Sequence, residues 1–113
     1  MNATNPYPRY SLTALEEALG DTPVVLIHGS RQCGKTTLAR MVGDKHGYDY
    51  FSFDDANLLA SAERDPVGFV ADLPAKVILD EVQRVPSVFL PIKAAVDKRR
   101  EPGRFLLTGS SNV

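Results

Sequence analysis

The residues best suited to chemistry form the stretch Gly29-Ser30-Arg31-Gln32-Cys33-Gly34-Lys35-Thr36. It fits the pattern G-x-x-x-x-G-K-S/T at every fixed position. Glycines let the backbone curl so that successive N–H groups face one anion, and the helix expected next would turn its positive end toward the same point. The pattern therefore predicts a loop that holds phosphate, and the competing interpretation is a glycine-rich turn without a ligand.

Two residues of this stretch have separate expected roles. The Lys35 ammonium suits the β- and γ-phosphates of a nucleoside triphosphate, and the Thr36 hydroxyl is an oxygen ligand for Mg²⁺. The candidate nucleotide-contacting residues are Gly29, Ser30, Arg31, Gln32, Cys33, Gly34, Lys35, Thr36 and Thr37.

A pair of carboxylates supplies the second half of the predicted site. Asp80 and Glu81 follow the apolar run VIL, where buried charge is costly unless it meets a cation. Asp80 is suited to hold Mg²⁺, and Glu81 can accept a proton from an attacking water as a general base. The alternative is that the pair only caps the start of a helix.

Three hydroxyl residues end the segment FLLTGSS near the carboxyl end of the chain. Thr108, Ser110 or Ser111 could hydrogen-bond the γ-phosphate or the attacking water, and the competing interpretation for each is a turn cap. The residues alone do not decide which of the three would do so.

Apolar runs alternate with helical patterns along the chain. Strands are predicted in 23–29, 48–55, 76–81 and 103–110, and helices in 11–20, 35–42, 55–64, 65–73 and 85–100. The run PVVLI is typical of a strand buried on both faces. This order predicts an α/β fold with a largely parallel sheet, which binds ligands beyond the carboxyl ends of its strands. Three of the four strands run into polar or glycine-rich residues at that edge.

Composition limits the remaining possibilities. The chain has 113 residues, enough for one small domain, and a net charge of −1, which does not indicate nucleic acid as a partner. The basic run Lys98, Arg99, Arg100 and Arg104 is interpreted as a solvated helix end. One cysteine, no signal-like start and no apolar run long enough to span a bilayer lead us to expect a cytoplasmic protein without membrane contact.

Several segments together resemble one family. HGSRQCGKTTLAR, FDD, VILDEVQRVPS, IKAAVD and RFLLTGSSN are similar to a group of prokaryotic AAA+ superfamily ATPases, commonly fused to a C-terminal domain of unknown function. The resemblance covers about residues 10–113. It implies a P-loop fold of the additional-strand catalytic glutamate type, with strand order 5-1-4-3-2.

The resemblance also implies residue roles. Lys35 and Thr36 match the Walker A motif, and Asp80 and Glu81 match Walker B. Thr108 falls at the sensor 1 position, where Ser110 competes, and this match places Thr108 with Lys35 and Glu81 among the expected catalytic residues. Asp54 and Asp55 match an acidic pair to which the sequence gives no role.

The family pattern continues beyond this chain, through a fifth strand, arginine-finger positions and a helical lid. We therefore expect residues 1–113 to be the N-terminal part of a single ATPase domain, truncated before strand 5 and the lid. The leading hypothesis is binding of ATP with Mg²⁺, with hydrolysis in the complete protein and self-association through the remainder of the domain. The alternatives are a small P-loop kinase and a non-catalytic remnant or partner-binding fragment.

Overall fold

The computed structural model describes residues 12–29 and 34–110. Predicted site residues Ser30, Arg31, Gln32 and Cys33, and the hydroxyl candidate Ser111, lie outside these ranges. The elements are α1 (Leu12–Leu19), β1 (Val24–Gly29), α2 (Lys35–His46), β2 (Asp49–Ser52), α3 (Ala56–Arg64), α4 (Pro66–Ala71), β3 (Val77–Asp80), α5 (Phe89–Lys98) and β4 (Phe105–Ser110), with short 3-10 turns at Val82–Arg84 and Pro86–Val88.

The four strands form one parallel sheet in the order β1-β4-β3-β2. This confirms the predicted α/β class, and the order agrees with the part of the implied 5-1-4-3-2 arrangement that these strands represent. Because all four strands run the same way, their carboxyl ends share one edge of the sheet. The first crossover, through α2, joins the two outermost strands and so brings the start of that helix to the same edge.

Helices cover both faces of the sheet. Side chains of a strand alternate between its faces, so Ile78 and Leu106 pack with α1 and α2. Val77, Leu79 and Phe105 point the other way and pack with α3, α4 and α5. Every residue of β3 and β4 is buried, so these two central strands are closely packed and position the residues at their carboxyl ends.

The α2 helix is one turn longer than the sequence predicts. We expected it to end near Gly43, but it continues to His46, and Gly47 at φ 77° ends it. Gly43 has a packing role instead, because a Cβ built there would lie 2.7 Å from the Ile78 Cδ1 atom. The missing side chain lets α2 approach the sheet closely.

The expectation that β1 is buried on both faces is wrong. Its apolar run forms the predicted strand, but β1 is an edge strand of the described sheet, and Leu26 is 48% exposed. The central position in the sheet belongs to β4 and β3, and the apolar run alone does not distinguish an edge from a centre. Among the helices of residues 12–29 and 34–110, none has the length and apolar character needed to cross a membrane.

Candidate functional site

The predicted site residues converge at the carboxyl edge of the sheet. β1 ends at Gly29, opposite Ser110 at the end of β4, and β3 ends at Asp80. Gly34 precedes α2 at φ 78° and ψ 15°, a left-handed conformation that glycine adopts without steric cost. The helix then begins at Lys35, so its first N–H groups lie at this edge.

Asp80 is a buried carboxylate held by three hydroxyl groups. Its Oδ1 atom accepts hydrogen bonds from Thr36 at 3.0 Å and from Thr108, and its Oδ2 atom accepts one from Tyr50 at 2.7 Å. Asp80 is only 3% exposed, and such a charge is costly to bury unless its oxygens are hydrogen-bonded. The structure thus brings Thr36 and Asp80, the two predicted metal ligands, into direct contact.

Glu81 faces Lys35 inside the same site. The Lys35 Nζ atom lies 3.6 Å from Glu81 Oε2, and both side chains are almost fully buried. Glu81 Oε1 accepts hydrogen bonds from Gln83 Nε2 and from Ser110 Oγ, each at 2.8 Å. The predicted cation, the predicted base and one of the competing hydroxyls are therefore neighbours.

The backbone of Glu81 is unusual. At φ 59° and ψ 46° it is the one non-glycine residue with a positive φ in the part of the chain that the structure describes. Such conformations cost about 1–3 kcal/mol and cluster at functional sites. Glu81 also directly precedes the 3-10 turn Val82–Arg84, but its side chain makes no capping hydrogen bond there. The alternative of a mere capping pair is therefore wrong for Glu81.

Thr108 links the two carboxylate residues. Its hydroxyl accepts a hydrogen bond from the Glu81 backbone N–H at 2.9 Å and donates one to Asp80. Ser110 contacts the Glu81 carboxylate instead, so the two hydroxyls occupy different positions of one network. Thr37, which was predicted to contact the nucleotide, lies in the first turn of α2 and is exposed.

Two members of the network were not identified from the sequence. Gln83 donates to Glu81 Oε1 and accepts the Ser110 backbone N–H at 3.1 Å. Tyr50 donates to Asp80, and burial together with this bond raises the pKa of the Tyr50 phenol to about 12. The strand order could have indicated Tyr50, since β2 neighbours β3, whereas no sequence signal marks Gln83.

The acidic pair after β2 has structural contacts. The Asp55 side chain accepts hydrogen bonds from the N–H groups of Asn57 and Leu58, which makes it the N-cap of α3. Asp54 forms an ion pair with Arg84 at 2.8 Å. This exposed pair ties the loop after β2 to the 3-10 turn that follows Glu81.

The fold and the residues at its carboxyl edge agree with the protein family that this chain matches. The family model described as an AAA domain matches residues 21–113, and the chain belongs to this family of nucleotide-binding, ATPase-like domains. The match begins before β1 and includes all four strands and the residues that meet at their carboxyl ends.

Two relatives extend the comparison. An uncharacterized protein of Mycobacterium tuberculosis and one of Mycobacterium bovis are each 38% identical to this chain over 107 residues. The matched region is 92% of this chain and 23% of each relative. The chain thus spans about a quarter of the length of the relatives that it resembles.

Proposed function

We propose that this site binds ATP together with Mg²⁺ and, within the complete protein, hydrolyses it. The observation that best supports this proposal is the burial of Lys35. This residue is 1% exposed and lies at the start of α2, beside a left-handed glycine. A lysine is almost never fully buried unless it is paired, and the charged partner of Lys35 in this structure is Glu81. Here the ammonium lies where a helix N-terminus and a glycine-rich loop favour phosphate.

Lys35 and the backbone that follows Gly34 would bind the phosphate groups of the nucleotide. The N–H groups of the first turn of α2, which have no partner within the helix, can donate to phosphate oxygens, and the Lys35 ammonium adds a charge-assisted hydrogen bond. The Lys35 ammonium lies 3.6 Å from Glu81 Oε2, longer than a good hydrogen bond. Phosphate oxygens would therefore offer Lys35 a closer anionic partner.

Thr36 and Asp80 fit a magnesium ion. Both offer hard oxygen ligands, and Mg²⁺ is commonly held by one or two carboxylates together with substrate phosphates. The Thr36 hydroxyl lies 3.0 Å from Asp80 Oδ1, so the two donors face a common space. When bound, Mg²⁺ neutralises negative charge on the phosphate oxygens.

Glu81 is the proposed general base. Its Oε1 atom is held by Gln83 and Ser110, and its Oε2 atom lies on the side of Lys35, where the terminal phosphate would bind. From there Glu81 can accept a proton from a water that attacks the phosphorus atom. Thr108 fixes the Glu81 backbone through the N–H group and orients Asp80 at the same time.

Calorimetric titration with ATP and Mg²⁺ tests the proposal. Lys35→Ala should remove most of the affinity, because charge-assisted contacts are each worth about 1.5–3 kcal/mol. Lys45→Ala is the matched control, since Lys45 lies in the same helix but is exposed at the opposite end. An affinity within twofold of wild type in Lys35→Ala would show that nucleotide does not bind here.

A further inference from the structure

Tyr50 connects the predicted metal ligand to two parts of the fold. It lies in β2, and its hydroxyl donates to Asp80 Oδ2 at 2.7 Å. The guanidinium of Arg40, from α2, lies 4.4 Å from the centre of the Tyr50 ring. This cation–π contact holds the ring against the helix that begins with Lys35 and Thr36.

The bond from Tyr50 is the shorter of two to Asp80 Oδ2, the other being a 3.4 Å contact from Thr36. Thr108 donates to Oδ1, and the shorter of the two Thr36 contacts is also to Oδ1. Donors on opposite oxygens fix the rotation of a carboxylate about its last single bond, whereas donors on one oxygen leave it freer to turn. The Tyr50 hydroxyl therefore fixes the orientation in which Asp80 faces Thr36.

We infer that Tyr50 is a positioning residue for Asp80 and that its hydroxyl sets the Mg²⁺ requirement of nucleotide binding. This inference rests on the proposed function of the site. Outer groups that orient a metal ligand typically change metal affinity 10–100-fold when removed. Tyr50→Phe should therefore raise the Mg²⁺ concentration needed for half-maximal enhancement of ATP binding by about 10–100-fold.

The chain provides a matched control in Tyr48. Its hydroxyl donates to the Gly103 carbonyl at 2.7 Å, and it is partly buried like that of Tyr50. Tyr48 precedes β2 and Gly103 precedes β4, so this bond lies at the opposite edge of the sheet from Asp80. Tyr48→Phe removes the same group from the same type of environment without touching the site.

The experiment measures ATP affinity by calorimetry in EDTA and across a Mg²⁺ series for wild type and both variants. Binding of Mn²⁺ to the nucleotide complex, followed by electron paramagnetic resonance, gives a second readout. We expect Tyr50→Phe to keep the affinity measured in EDTA, to shift the Mg²⁺ series and to weaken Mn²⁺ binding. Tyr48→Phe should behave as wild type.

An unshifted Mg²⁺ series in a folded Tyr50→Phe protein would overturn the inference, as would an equal shift in Tyr48→Phe. Neither result would affect the proposed function, which fails instead if wild type binds no ATP in either condition. Tyr50→Leu, which also removes the hydroxyl that bonds Asp80, replaces Tyr50→Phe if that variant does not fold. It should shift the series in the same direction, and an unchanged series would again overturn the inference.

Discussion

The ammonium of Lys35 lies 3.6 Å from Glu81 Oε2, with the two side chains 1% and 5% exposed. The predicted phosphate-binding residue and the predicted base are therefore paired with each other in this structure. Burial is costly for either charge alone, so each residue stabilises the other. Nucleotide binding would supply a second anion to Lys35 and release the carboxylate for proton transfer.

Glu81→Gln should separate binding from turnover. Glutamine cannot accept the proton of the attacking water, so a form of the protein that hydrolyses ATP should lose turnover and retain binding. The unliganded variant should also lose about 3 kcal/mol of stability, because Lys35 is left without its buried partner. Calorimetry measures ATP binding, phosphate release measures turnover, and urea unfolding measures stability. Glu63→Gln, an exposed change in α3, is the control. Full turnover in Glu81→Gln would refute its assignment as the base.

Thr108→Val should destabilise the protein even without a ligand. Valine has nearly the same shape, but the buried Glu81 N–H then loses its acceptor and Asp80 loses a donor. Each unsatisfied buried polar group costs about 1–3 kcal/mol. Urea unfolding should show a lower midpoint with an unchanged slope. Thr37→Val, at an exposed position of α2, should leave the midpoint near wild type, and equal midpoints for the two variants would contradict the role of Thr108.

The positions of the strands were predictable because buried apolar runs bounded by polar residues are strong local signals. The meeting of Lys35, Thr36 and Asp80 was predictable for a related reason, since parallel strands place their carboxyl ends together. The start of α4 is likewise local chemistry, since Asp65 accepts a hydrogen bond from the Gly68 N–H and Pro66 is the first residue of the helix.

Features that depend on tertiary packing were not predictable. Nothing local shows that Gly43 packs against Ile78 rather than ending α2. The edge position of β1 follows from the strand order that the family resemblance implies, and not from its apolar run. Gln83 donates a hydrogen bond to Glu81, whose backbone is left-handed, and the residue types in this stretch do not predict that conformation. Contacts between positions far apart in the chain therefore account for most of what the sequence did not reveal.

The contact between α1 and α2 predicts a pH dependence of stability. Hydrogen bonds from His46 and Lys45 lower the pKa of Glu16 below its usual value of 4.5. A lowered pKa in the folded state means that the ionised group stabilises the fold above pH 4.5, and that this contribution is lost as pH falls through the folded pKa. Wild type should therefore unfold at higher urea than Glu16→Gln at neutral pH.

The difference between wild type and Glu16→Gln should shrink as pH falls from 4.5 through the lowered folded-state pKa of Glu16, because the Glu16 carboxyl then becomes neutral, as glutamine always is. Glu17→Gln is the control, because Glu17 is the exposed neighbour of Glu16 in α1. A gap that stays constant across this pH range would show that the ion pair does not contribute to stability.

In a protein limited to residues 1–113, the edge of β1 predicts self-association. Among residues 12–29 and 34–110, β1 pairs only with β4, and its first four residues, Val24 to Ile27, carry no charge. An uncharged apolar edge is a template for pairing with another chain, and a lysine on such an edge opposes it. Leu26→Lys should therefore lower the concentration-dependent association seen in sedimentation velocity. Stability should change little, because half of the Leu26 side chain already lies in water.

Met41→Lys places the same charge on a residue of equal exposure in α2, away from any strand edge, and should leave association unchanged. If both variants reduce association equally, net charge rather than the β1 edge controls it.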